Sequence, residues 1–204
     1  MMLSSRNIVY KFHKWKKQLL FADKIISVIV LLLLGLTRPD LLMMSVYILL
    51  IPYLYLTKRK NALNHLAIAS IVSIIWVVFT NKYYNYNFET LKIFGLNSYL
   101  LFAFATGLFA VYILYSHWEH KLRTLNSKLL LFIVLYWLLL IFVETIAYHV
   151  FNIHNIANAI YSGLPLCDCL HAPRWMQAAY FLIGPIYFLI CEFLGFENPH
   201  FVRK

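Results

Sequence analysis

Residues 128–151 read KLLLFIVLYWLLLIFVETIAYHVF, an apolar run that begins with a lysine and holds one acidic residue, Glu144. A transmembrane helix needs about 20 mainly apolar residues to cross roughly 30 Å of hydrocarbon. Because this run exceeds that length, it predicts a membrane-spanning helix rather than a helix in a soluble core.

The composition of the whole chain agrees with this interpretation. Hydrophobic residues make up 62% of the 204 residues, charged residues 13%, and the mean hydropathy is +0.71. Soluble domains carry about 25% charged residues. The sequence therefore predicts an all-α fold, a polytopic integral membrane bundle of six transmembrane helices in one domain, residues 21–204. The six predicted spans are residues 22–36, 41–57, 62–80, 93–116, 128–151 and 175–196.

Residues 1–20 precede the first span and show a different pattern. Apolar side chains, among them Phe12, Trp15 and Leu19, recur on one helical face, and lysines such as Lys14 cover the others. This spacing predicts an amphipathic basic helix that lies on the cytoplasmic leaflet of the membrane.

The distribution of basic residues predicts the orientation. With a cytoplasmic N-terminus, only Arg38, Lys82, Lys92 and Arg174 fall outside, which leaves 14 of the 18 basic residues inside. This bias follows the positive-inside rule, so both termini are expected on the cytoplasmic side of the membrane. That membrane is expected to be a bacterial-type plasma (inner) membrane. The net charge of +10 is then explained by contacts with anionic lipids at the cytoplasmic face, and nucleic acid is not expected as a partner. Another membrane protein is a possible partner.

One polar cluster interrupts the apolar sequence between residues 144 and 174. An acid in hydrocarbon costs several kcal/mol unless it is paired, protonated or solvated, so Glu144 is a candidate functional residue. At 1.5 Å per residue, it lies about 24 Å along its span, in the predicted outer half of the bilayer. Arg174 and His149 are its expected partners. The residues that we predict to be catalytic are Glu144, His149, Asp168, His171 and Arg174.

A structural role for Glu144 is the alternative. A protonated Glu144 would then form a hydrogen bond with Tyr148, Asn97 or Gln177. The loop 152–173 mixes apolar and polar residues, so we expect it to pack back on the bundle as a lid or half-helix.

The run Cys167-Asp168-Cys169-Leu170-His171 admits several chemistries. Two thiolates and an imidazole, from Cys167, Cys169 and His171, are ligands for a soft metal ion such as copper(I) or zinc. The two cysteines could instead exchange thiols and disulfides, or one thiolate could act as a nucleophile. A compact turn with unreactive thiols is the remaining interpretation. The sequence requires no cofactor and leaves its identity unknown.

A short stretch resembles a known family. Glu144-Thr145, followed by Gly163-Leu164-Pro165 and Asp168, is similar to the end-of-helix acid and the Leu-Pro-x-acid-acid motif of integral-membrane lycopene cyclase domains. Cys167 stands where that motif has its first acid. The resemblance covers about 25 residues and implies a polytopic enzyme that protonates a polyene with membrane-embedded acids.

Three functional classes remain. A membrane-embedded enzyme acting on a lipid or isoprenoid would use the one-sided polar cluster, and this is the leading hypothesis. A transport subunit would need polar residues at every depth, which the apolar run at 41–57 does not supply. A structural or assembly subunit would need none of the cluster. We interpret Ala103-xxx-Gly107 as a helix-packing face. Six aromatic residues are expected to form an outer interfacial belt: Tyr83, Tyr84, Tyr86, Tyr99, Trp175 and Tyr180.

Overall fold

The computed structural model describes Leu33 and residues 35–199 and is all-α apart from one short hairpin. Five of its helices are long and apolar enough to cross a membrane, which is compatible with a multi-pass membrane protein. They are α1 (Pro39–Leu56), α2 (Lys60–Thr80), α3 (Ser98–Ser116), α4 (Leu125–His149) and α5 (Arg174–Phe193). The predicted segment 1–20 lies outside the described residues, and so does nearly all of the predicted span 22–36.

The start of the predicted span 93–116 is wrong. Lys92–Ile93 (β1) pairs antiparallel with Leu96–Asn97 (β2), and α3 begins only at Ser98. The two residues between the strands, Phe94 and Gly95, both have positive φ, 50° and 79°. This conformation gives a tight hairpin turn, which ends any helix. The side chain of Asn97 then caps α3 by accepting a hydrogen bond from the amide of Leu100.

The main core lies where α2, α3, α4 and α5 meet, toward the end of the bundle that holds the α1–α2 and α3–α4 turns. Aromatic side chains fill it, among them the fully buried Tyr112, Phe132 and Phe188. Ala62 and Ala69 on α2 are also fully buried, and such small residues let helix backbones approach closely. Helix association in this bundle therefore depends on interlocking shapes.

Two neighbouring residues of α4 bind the backbone of α5 beside its proline. Pro185 has no N–H for the carbonyl of Phe181, and the indole of Trp137 donates to that oxygen at 3.0 Å. The hydroxyl of Tyr136 donates to the carbonyl of Tyr180 at 2.6 Å. Partners from a neighbouring helix make a proline tolerable inside an apolar bundle.

Two loops at one end of the bundle form what we call the cap, residues 81–97 and 150–173. The side chain of Asn87 joins them, because its Nδ2 donates to the carbonyl of Asn152 at 2.7 Å and its Oδ1 accepts from the amide of His154 at 2.8 Å. The loop 150–173 therefore does fold back over the bundle. Its regular structure is a short 3-10 turn, Ile156–Asn158, so the half-helix alternative is wrong.

The buried carboxylate of Asp40 fixes the cap to the first residues of α1. Arg38 donates to both of its oxygens at 3.1 Å, and the amide of Leu91 donates to Oδ2 at 2.9 Å. Asp40 is also in the first turn of its helix, where the helix dipole favours a negative charge.

Charged residues at the opposite end of the bundle form a separate network. Lys128 binds Glu119 at 3.1 Å and Glu192 at 3.5 Å. The hydroxyl of Tyr112 lies 3.4 Å from the Glu192 carboxylate. These pairs join the ends of α3, α4 and α5, so we assign them a structural role.

Candidate functional site

A cavity of about 240 Å³ lies under the cap, between α3, α4 and α5. Small and aliphatic residues form its helical walls, among them Ala103, Gly107, Leu139 and Val143. Residues of the loop 150–173, including Leu170, line it on the cap side. The cavity has the mostly apolar lining and few polar groups that are typical of small-molecule sites.

Glu144 lines this cavity from α4. Among the described lining residues it is the one acid, and none of them is Lys or Arg. Within the described part of the chain, no hydrogen bond or ion pair satisfies its carboxyl oxygens. A carboxyl group in apolar surroundings without a partner is costly, which marks Glu144 as the group in this cavity that a ligand would complete.

Six tyrosines line the cavity together with Glu144, from the cap and from α3, α4 and α5. They are Tyr84, Tyr86, Tyr99, Tyr136, Tyr148 and Tyr180. The hydroxyls of Tyr84 and Tyr180 are hydrogen-bonded to each other, and Tyr136 is bound to the α5 backbone. Burial raises the pKa of Tyr84 and Tyr86 above the ordinary tyrosine value, so both stay neutral phenols.

His171 lines the cavity from the cap, and its ring stacks on Tyr148 with centroids 4.8 Å apart. Its Nδ1 lies 2.8 Å from the carbonyl of Tyr161, and its Nε2 lies 3.1 Å from the carbonyl of Asp168. Carbonyl oxygens only accept, so both ring nitrogens are directed at acceptors of the loop 150–173. The carboxylate of Asp168 also lies 3.4 Å from Nε2.

Cys167 and Cys169 are joined by a disulfide in the cap. Cys169 is fully buried, whereas Cys167 is partly exposed. Asp168 and Leu170 both have positive φ, 44° and 54°, a conformation that costs energy for residues other than glycine. The cap therefore maintains this short loop through tertiary contacts.

The disulfide bears on the predicted metal ligands Cys167, Cys169 and His171. A disulfide supplies no thiolate, so in this state the two sulfurs are not soft-metal ligands. Across Leu33 and residues 35–199, no group of three or more His, Cys, Asp or Glu side chains is arranged to hold a metal ion. The metal hypothesis thus applies only to a reduced and rearranged cap.

The structure brings two of the five predicted catalytic residues to the cavity, Glu144 and His171. His149 is exposed beside it, with Nε2 2.8 Å from the carbonyl of Cys167. Asp168 is exposed and reaches the site only through His171. Arg174, the first residue of α5, is exposed, and no described acid pairs with it. The expected pairing of Glu144 with Arg174 or His149 is therefore wrong.

The structural alternative for Glu144 is also wrong as stated. Asn97 caps α3, and Gln177 donates to the carbonyls of Ser162 and Leu170 at 3.0 and 3.1 Å. Neither amide binds Glu144 within the described residues, and Tyr148 lines the cavity without a hydrogen bond to it.

Sequence reasoning missed the other lining residues. Tyr84, Tyr86 and Tyr99 line the cavity, and Ala103 and Gly107 form its wall on α3. Among the described residues, no atom lies within 4 Å of where a Gly107 Cβ would be, so no described helix packs against this point of α3. The sequence feature that indicates this wall is the spacing of two small residues, Ala103 and Gly107, on α3. They line the cavity together with Glu144, the acid on α4.

Comparison of the chain with protein-family models, curated proteins and solved structures finds no match.

Proposed function

We propose that this protein is a membrane-embedded enzyme that acts on a lipid or isoprenoid-type substrate, with Glu144 as its general acid or base. The observation that carries the proposal is the carboxyl of Glu144, which has no partner among the described residues and lines an aromatic and aliphatic cavity. The apolar body of such a substrate fits the wall of Ala103, Gly107 and Val143.

Proton transfer is the chemistry that this arrangement supports. Glu144 either donates its proton to a substrate atom or removes one, and its carboxyl returns to the starting state by the reverse exchange at the end of the cycle. The surrounding phenols of Tyr84 and Tyr86 remain neutral, so they do not compete for the proton. His171 joins two parts of the loop 150–173 through its contacts with the carbonyls of Tyr161 and Asp168.

The proposed membrane arrangement has six spans, with both termini in the cytoplasm and the cap outside. The basic Lys58-Arg59-Lys60 turn lies at the end of the bundle opposite the cap, as the positive-inside rule requires. The disulfide lies in the cap, and disulfides persist in oxidising, extracytoplasmic compartments. Free Cys191 is buried near the other end of the bundle.

Thiol labelling tests this arrangement. In intact cells, a membrane-impermeant reductant followed by an impermeant maleimide should label the wild type at Cys167 or Cys169. The Cys167→Ser/Cys169→Ser variant is the matched control and should stay unlabelled, because Cys191 is buried. Labelling of the wild type that requires permeabilised cells would place the cap inside and overturn the orientation.

Glu144→Gln tests the catalytic role. Losing a general acid or base typically costs about 10²–10⁴-fold in rate. We expect turnover of lipids from the native membrane, followed by mass spectrometry of extracts, to fall by at least about 10²-fold. Lipid should still enter the cavity through its contacts with the apolar walls, because glutamine keeps the shape of the side chain. Gly107→Leu should instead displace the bound lipid in native mass spectrometry, since its side chain enters the cavity.

Glu89→Gln provides the matched control, because it makes the same chemical change at an exposed cap residue. It should leave turnover at the wild-type level. Wild-type turnover in Glu144→Gln would end the acid–base proposal. Unchanged lipid binding in Gly107→Leu would show that the cavity is not the lipid site.

The disulfide favours a second candidate, thiol–disulfide exchange with a dithiol partner. An incoming thiolate would attack the sulfur of the partly exposed Cys167 and release the buried Cys169 as the leaving thiolate. This function requires both cysteines. Full activity in the Cys167→Ser/Cys169→Ser variant removes it and leaves the Glu144 proposal unaffected.

A further inference from the structure

We infer that the cavity selects an amphiphile whose polar end carries a positive charge, such as an amine or quaternary ammonium on an apolar chain. This inference rests on the proposed function and narrows its substrate class. It follows from the carboxyl group of Glu144 and the tyrosine rings that line the same cavity.

Three of the six lining tyrosines contribute ring surface rather than hydroxyl groups, because their hydroxyls are already bonded. The hydroxyls of Tyr84 and Tyr180 bind each other, and that of Tyr136 binds the Tyr180 carbonyl. Phe104, which also lines the cavity, stacks on Tyr180 with centroids 5.7 Å apart and an interplanar angle of 13°. Aromatic faces attract cations, and quaternary ammonium groups are bound in cages of such rings.

The charges around the cavity point the same way. The chain has a net charge of +10, yet none of the described residues that line the cavity is Lys or Arg. His171 lines the cavity, but both of its ring nitrogens face carbonyl oxygens and its Nε2 lies 3.4 Å from the Asp168 carboxylate. The carboxyl of Glu144 is therefore the acidic group left for a ligand.

An anionic head group fits this cavity poorly. Phosphate and carboxylate are bound most strongly by basic side chains, and none of the described lining residues is Lys or Arg. The amide of Asn155, on the cap side, is already committed, since its Nδ2 donates to the Tyr83 carbonyl and its Oδ1 accepts from the amide of Asn85. An anion would instead face the Glu144 carboxylate across an apolar space, where like charges repel strongly.

A pair of isosteric probes tests the inference. Dodecyltrimethylammonium and the alkane that ends in a tert-butyl group differ in one positive charge, and dodecyl sulfate supplies the opposite charge. We would measure saturable binding by native mass spectrometry with the protein in phosphatidylglycerol nanodiscs, which contain no ammonium lipid. We expect the ammonium probe to bind at least about tenfold more tightly than either of the others.

Variants distinguish a site that recognises the positive charge from one that binds any apolar chain. Glu144→Gln should remove most of the preference for the ammonium probe, whereas Glu89→Gln should keep it. Tyr99→Phe keeps an aromatic ring in the lining and should bind the probe like the wild type, and Tyr99→Leu should bind it several-fold more weakly.

Equal binding of the charged and uncharged probes, or tighter binding of the sulfate, would overturn the inference. Its failure is distinguishable from failure of the proposed function, because turnover of native lipid is measured on the same preparations. Loss of turnover in Glu144→Gln without charge selectivity would keep the enzyme and reject the cationic substrate class.

Discussion

Asp40→Ala is expected to lower the free energy of unfolding by about 3 kcal/mol, a large effect for one side chain outside the main core. The carboxylate of Asp40 is fully buried and accepts two hydrogen bonds from Arg38 and one from the amide of Leu91. Removing it leaves the Leu91 amide without that partner and the Arg38 guanidinium without its counter-charge.

The size of the effect depends on how well water can reach the Arg38 side chain that remains. Removing one member of a buried ion pair costs about 3–5 kcal/mol when the remaining charge stays buried. The side chain of Arg38 is 34% exposed, so water can solvate it after the change. The expected loss in the free energy of unfolding is therefore at the lower end of that range.

Equilibrium unfolding in lipid–detergent micelles, followed by tryptophan fluorescence, measures the loss. Hydrogen exchange at Leu91 supplies a local readout and should accelerate in Asp40→Ala. Glu89→Gln is the control, because its carboxylate is exposed and 3.8 Å from Arg38, and it should unfold like the wild type. Wild-type stability and slow Leu91 exchange in Asp40→Ala would show that the ion pair does not hold the cap.

The helices could be predicted from the sequence because the length and apolar content of a segment are enough to identify a long apolar helix. The predicted spans at 41–57 and 62–80 match α1 and α2 to within two residues at each end. The hairpin at 92–97 could not, since Ile93 and Leu96 are apolar and extend the helical pattern of α3. Its turn depends on the left-handed conformations of Phe94 and Gly95, which the hydrophobic pattern does not report.

The candidate site was only partly predictable. The depth of Glu144 follows from its position in an apolar run, but its surroundings depend on how α3 and α4 face each other. Tyr84 and Tyr86 come from a loop that the pattern assigns to the interface, and the contacts of Asn87 with the other loop bring that loop over the cavity. Such long-range contacts leave no periodic signal in one sequence.

Arg174 and the two cysteines show the same limit. The expectation that Arg174 pairs with Glu144 used their shared membrane edge, whereas the first turn of α5 leaves the arginine exposed. The sequence left the state of Cys167 and Cys169 open, and the disulfide between them accompanies the positive φ of Asp168 and Leu170, which no sequence pattern reports.

Gly184→Ala is expected to destabilise the protein by about 2 kcal/mol, although alanine is the better helix former. A Cβ on Gly184 would collide with the ring of Tyr136, which is almost fully buried against α5. Either the ring leaves its place and loses its hydrogen bond to the Tyr180 carbonyl, or α4 and α5 separate. Both outcomes cost more than the roughly 1 kcal/mol gained in helix propensity.

The same substitution at Gly107 is the matched control and should have the opposite sign. No atom of the described residues lies within 4 Å of where its Cβ would be, so Gly107→Ala should stabilise the protein by about 0.5–1 kcal/mol. A double-mutant cycle completes the test with the same unfolding assay. In the Tyr136→Ala background, where the ring is gone, Gly184→Ala should become neutral or stabilising. If Gly184→Ala costs the same with and without the ring, its effect does not arise from contact between α4 and α5.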